Sequence, residues 1–209
     1  MAKGSKRTVT VTGSGKASVS PDVVRLDLRV GHEANDVAAA LSGAAEGIAK
    51  VGRVVRDRGV ADADIRTLDA GVNQRWDNTG VAVGFTAQQR IGVTVRRLEA
   101  VGEILEGAAA EVGNALLVDQ VRLDVDDRSD GLRRARDAAF ADARAKAQQY
   151  AALSGSELGD VLGVAESGSV PVVRASFAMA AVRDVAGAMP VEGGDLELAA
   201  TVTVTWQLV

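Results

Sequence analysis

Apolar residues recur along the chain with two spacings, every second residue and every third to fourth, and each change of spacing marks an element boundary. Val9 and Val11 alternate with threonines at 8–12. After Pro21, Val24, Leu26, Leu28 and Val30 alternate with Arg25, Asp27 and Arg29, so both stretches predict half-buried strands. Asn35 and Asp36 offer caps to a helix whose apolar positions Val37, Leu41, Ala44, Ile48, Val51 and Val55 alternate four and three apart, with Gly59 as the stop. Gly43, Gly47 and Gly52 lie inside it, each costing about 1 kcal/mol relative to alanine, so this helix depends on a partner surface.

Residues 65–76 are strand-like, Asp77-Asn78-Thr79-Gly80 is turn chemistry, and the longest alternation follows: Val81, Val83, Phe85, Ala87, Gln89, Ile91, Val93 and Val95 share one face. These stretches predict a long hairpin. Its second arm would span roughly 50 Å unbroken, so a bend or bulge is expected near Gly84 or Gly92, and the hairpin is long enough to overhang its own domain. Leu98, Val101, Leu105, Ala108 and Val112 predict a second helix stopped at Gly113-Asn114, and Val121, Leu123 and Val125 another strand.

Next comes a long alanine-rich helix, with Ser129 and Asp130 as N-cap chemistry and Leu132, Ala135, Ala139, Ala143, Ala147, Tyr150 and Leu153 on one narrow face. Gly155 fits its stop, Val161-Leu162-Gly163-Val164-Ala165 reads as a strand, and a closing strand alternates Leu196, Leu198, Ala200, Val202, Val204, Trp206 and Leu208 with polar residues. Helices interleaved with antiparallel-type hairpins predict an α+β fold: an antiparallel or mixed β-sheet with a long hairpin and three main helices packed on it.

The long helix carries the pattern AR-x-x-A-x-x-DA-x-x-KA-x-x-x-A-x-x-x-G-x-x-LG-x-V, from Ala135-Arg136 through Gly155, Leu158-Gly159 and Val161. It closely resembles the corresponding helix of the SIMPL domain family. Other pieces agree in order: Val11-Thr12-Gly13-Ser14-Gly15 with Ser20-Pro21-Asp22, then Asp64-Ile65-Arg66-Thr67, Gly84-Phe85-Thr86-Ala87-Gln88-Gln89, and Pro190-Val191-Glu192-Gly193-Gly194 before the last strand. The resemblance implies a SIMPL-type domain over 8–209 after a tail at 1–7, with room for two subdomains. It also implies ring-like or cage-like homo-oligomers and a loose link to stress tolerance. It implies little about chemistry, because the family is known by shape and assembly more than by a reaction.

At 209 residues, 47% hydrophobic and 25% charged, the chain can bury a substantial core. The net charge of -4 argues against nucleic acid as a partner, and the absence of cysteine excludes disulfides, thiolate metal sites and cysteine nucleophiles. No apolar run reaches the length of a transmembrane helix. Lys3, Lys6 and Arg7 look like a signal-peptide n-region, yet residues 8–12 alternate as a strand where an apolar core would be required. The expectation is a cytoplasmic protein, although many members of the family it resembles are exported.

Candidate chemistry is sparse. Gly13-Ser14-Gly15-Lys16 lacks the ending and the helix of a phosphate loop and reads as a glycine turn between strands. The run Asp126-Asp127-Arg128-Ser129-Asp130-Gly131 mimics a calcium loop, but Arg128 stands at a ligand position and Asp137 where a bidentate glutamate is needed, so helix capping accounts for it. His32 is the sole histidine, which leaves no histidine metal cluster, and Trp76 and Trp206 read as core or interface residues. No catalytic, cofactor-binding or metal residue is nominated, and no cofactor.

Residues 167–194 form a long, apolar, weakly charged segment that packs either on its own core or on a neighbouring subunit. The candidate interface is therefore Val83, Phe85, Ile91 and Val93 of the hairpin with Phe177, Met179, Val182 and Met189 of this segment. The expected function is non-enzymatic self-assembly into a homo-oligomer. The rivals are a small-molecule-binding or hydrolytic enzyme using carboxylates in a cleft, and an adaptor for a signalling partner, as animal members of the family are thought to be.

Overall fold

The structure is a computed structural model that describes residues 7–167 and 194–209. Phe177, Met179, Val182 and Met189 lie outside the described residues. In chain order the elements are β1 (Thr8–Val19), β2 (Val23–Ala34), α1 (Val37–Asp57), β3 (Ile65–Trp76), β4 (Ala82–Val95), α2 (Ala100–Val112), β5 (Leu116–Asp124), α3 (Ser129–Leu153), β6 (Leu158–Glu166) and β7 (Leu196–Leu208). The fold is α+β, as the interleaving predicts, with two antiparallel sheets in place of one. Contacts divide the chain into two compact units.

One unit, Pro21–Asp124 among its described residues, is a sheet in the order β3-β4-β2-β5 with α1 and α2 on one face. Val24, Leu26, Leu28 and Val30 of β2 pack there with Ile48, Val51 and Val55 of α1 and Val101 and Ile104 of α2. Burying each such side chain contributes about 1.5–3 kcal/mol, which offsets the helix-weakening glycines of α1. Those glycines also permit close approach: a Cβ on Gly47 would stand 2.6 Å from Val30 Cγ1. Asp36 caps α1 by accepting a hydrogen bond from the Ala39 amide at 2.9 Å, and Gly59 ends it at φ 83°.

The hairpin bends where glycine suggested. The β3–β4 register shifts between Arg75 and Trp76, beside Gly84 at φ 134°, and between Thr67 and Asp69, near Gly92. Pairing of β4 with β2 stops at Phe85, so only the tip of the hairpin extends past β2.

The other unit is a three-stranded sheet, β1-β7-β6, with α3 across β1 and β7. The buried stripe of α3 is Gly131, Ala135, Ala139, Ala143, Ala147 and Ala151, a strict four-residue repeat. Tyr150 and Leu153, expected on this face, are exposed, since the four-residue ridge at this crossing leaves them to one side. The helix is also not capped by Ser129 or Asp130; the Asp127 carboxylate accepts from the Ser129 amide at 2.8 Å.

Gly13-Ser14-Gly15 is not a turn. It lies inside the continuous strand β1, with Gly13 and Gly15 facing α3, and a Cβ on either would run into the helix backbone at Ala139 or Ala135. Glycine is there because backbone packs on backbone, which no other residue permits.

Candidate interaction surface

The sequence-nominated polar groups do not converge. His32 is exposed on β2 with its ring over Gly43 of α1, while Asp130 binds Arg133 and Arg134 of its own helix. The hydrogen bond and charge of Arg133 hold the Asp130 carboxyl below its usual range. Among the described residues no three His, Cys, Asp or Glu side chains are placed to hold a metal. A groove of about 300 Å³ between α3 and β6 is lined by one carboxylate, Asp160, and another of about 180 Å³ by Asp64, which binds Arg96. Each groove thus brings a single carboxylate, not a cluster, to its lining.

The open face of the β3-β4-β2-β5 sheet is a lattice of ion pairs. Arg29 and Arg90 stand directly opposite each other on β2 and β4, a like-charge pairing that would destabilise the sheet. A register shift between β2 and β5 leaves Asp119 out of the ladder, and its carboxylate binds Arg29 at 2.5 Å with Arg90 at 3.9 Å. Farther along, Arg25 donates to Asp124 at 2.7 Å, the one buried charged residue among those described. These contacts hold the sheet together.

Apolar surface gathers at the end of the hairpin. Trp76 is 61% exposed, Val81 59% and Val83 42%. Phe85 is half-buried against Ala40, Ala44 and Ala87. Ile91 and Val93, expected at an interface, are 5% and 2% exposed within the unit's own core, because α1 and α2 cover that half of β4. Trp76 and Val81 were absent from the interface expected from sequence; an aromatic residue beside the turn at 77–80 is the signal that points to them.

That turn is closed by one carboxylate. Asp77 Oδ1 accepts from Thr79 N at 2.8 Å, Thr79 Oγ1 at 2.7 Å and Val81 N at 2.9 Å. The Thr79 hydroxyl, then the Val81 and Thr79 amides, hold this carboxyl below its ordinary 3.8. The unfolded chain therefore binds the proton more readily, so the stabilisation is complete above pH 3.8 and is lost as pH falls through the lower folded value. Trp76 fluorescence should report loosening of the tip on acidification below that pH, and Asp77→Ala should abolish this step.

The strand edges are treated unequally. On the edge strand β1, Ser14 N donates to Asp142 at 2.8 Å, Lys146 Nζ donates to the Thr12 carbonyl at 3.1 Å, and Arg134 to that of Ser18 at 3.2 Å. Side chains of α3 thus occupy groups that an added strand would need. Lys146 and the Ser14 amide also lower the Asp142 pKa. On the edge strand β3, no described side chain reaches the backbone between Asp69 and Arg75 in this way.

The 26 kDa periplasmic immunogenic proteins of Brucella melitensis biotype 1 and Brucella abortus strain S19 are each 27% identical over 218 residues, covering 96% of this chain and 84% of the relative. Their names correct the expectation of a cytoplasmic location. That expectation rested on the first residues of the chain, whereas an export signal is an address separate from the folded domain. The sequence model of the family SIMPL, described as a protein of unknown function (DUF541), matches residues 9–206, and the chain belongs to the SIMPL family.

Proposed function

We propose that the chain is a non-enzymatic protein of the periplasm whose activity is assembly with copies of itself. The observation that carries this is the exposure of three large apolar residues at the hairpin end, Trp76, Val81 and Val83. A tryptophan buries 150–250 Å² when covered and is enriched at the centres of interfaces. The periplasmic location is taken from the names of the Brucella relatives. The rival enzymatic reading finds no acid pair in either groove to act through.

Native mass by light scattering tests the proposal. Wild-type protein at micromolar concentration should run larger than one chain. Trp76→Ser combined with Val83→Asp should give smaller, folded species, with self-association weakened about 30-fold or more, as loss of an aromatic anchor costs about 2 kcal/mol. A wild-type protein that runs as a monomer overturns it.

A further inference from the structure

We infer that the edge of β3, unpaired among the described residues, is a pairing strand, through which two copies of the chain join antiparallel about a two-fold axis at Val72. The inference rests on the self-association proposed above and names its contact. β3 is the edge of its sheet, and every residue from Asp69 to Gln74 is exposed. Its register with β4 is unbroken from Asp69 to Arg75, so the edge is straight over that stretch, with irregularities only at its two ends. Natural edges are usually blunted by charged side chains, proline, bulges or a covering group. Here charges and register shifts stand only at the two ends, Asp69 and Arg75, and among the described residues 70–74 carry none of these, in contrast to the α3 side chains that occupy the edge of β1.

The sequence of the edge is complementary to itself. With Val72 opposite Val72 of a second copy, Gly71 meets Asn73, Ala70 meets Gln74, and Asp69 meets Arg75, the last pair occurring twice by symmetry. Parallel pairing in register would instead set Asp69 against Asp69 and Arg75 against Arg75, the arrangement that destabilises a sheet. The centred register also uses the whole unbroken stretch. Asp69 and Arg75 now contact Arg90 and Glu33 at 2.5 and 2.7 Å, in exposed pairs that contribute little and leave both side chains able to turn to the second copy. Trp76 follows Arg75 directly, at the end of this contact.

Charge reversal tests the contact. Asp69→Arg places like charges across the axis, and so does Arg75→Asp, so each alone should weaken self-association at least tenfold by light scattering. In an equimolar mixture of the two variants every position 69 meets a position 75 of opposite charge, and the wild-type mass should return. If wild-type protein is oligomeric and the single variants keep its mass, or if mixing fails to restore it, the β3 contact is wrong while self-association stands. A monomeric wild type removes both.

A second variant serves if a reversal disturbs folding. The chain has no cysteine, and Val72→Cys would face its own copy at about 4.5–5.5 Å between Cα atoms, within disulfide range. Mild oxidation should give a covalent dimer. A folded Val72→Cys protein that stays uncrosslinked at concentrations where it is oligomeric overturns the inference.

Discussion

Gly15→Val is expected to destabilise the unit built on α3 by about 3 kcal/mol or more, at the upper end of overpacking costs. A Cβ at Gly15 would run into the carbonyl oxygen of Ala135 and the amide nitrogen of Ala139, both backbone atoms of α3. A side chain could rotate away, but a helix backbone must move as a body. Lifting it would open the contact of Ala135, Ala139, Ala143 and Ala147, all fully buried, against β1 and β7. The denaturation midpoint measured by circular dichroism should fall sharply. Lys16→Val, the same side chain placed on the exposed neighbour, should change stability by no more than about 0.5 kcal/mol. Equal effects of the two variants would show that the close approach is not what selects glycine.

Asp124→Ala is expected to cost about 3 kcal/mol in the other unit, the lower end of the range for breaking a buried ion pair. Asp124 is 3% exposed, and its removal leaves the Arg25 guanidinium, itself largely shielded, without the carboxylate 2.7 Å from Nε. The bond from Arg25 to the neutral Thr94 Oγ1 is kept in the variant. Asp62→Ala, which breaks the exposed pair with Arg56, should cost less than about 1 kcal/mol. Replacing both partners, Arg25→Met with Asp124→Leu, should recover most of the loss, because a shielded ion pair can be exchanged for apolar side chains of similar volume at little cost while removal of one member cannot. If the single and double variants were equally destabilised, packing rather than the ion pair would account for the loss.

The comparison of Val83 with Val93 marks how far the chain can be read without its fold. Both belong to one alternation, and the alternation correctly groups them by strand. It says nothing of where α1 and α2 stop covering that strand, which leaves Val83 at the surface and Val93 in the core. The same limit hid Trp76: a strand pattern places an aromatic residue on a face, and only the packed structure says whether anything covers that face. The candidate surface was thus legible as a hairpin and in Val83, but not in Trp76 or Val81 beside it.

What the sequence by itself determined is local and periodic. The alternation of β2 and β7, the alanine repeat of α3, the Asp36 cap and the bend at Gly84 each follow from neighbours a few residues away, whose spacing fixes which groups share a face. What tertiary structure alone decided depends on partners distant in sequence. Gly13 and Gly15 suit a turn as well as a close helix contact, until α3 lies on them. Asp119 is an ordinary strand residue until a register shift sets it between Arg29 and Arg90. An edge becomes guarded or bare only when the sheet order and the reach of the α3 side chains are known, because hydrogen bonds are satisfied in space and not along the chain.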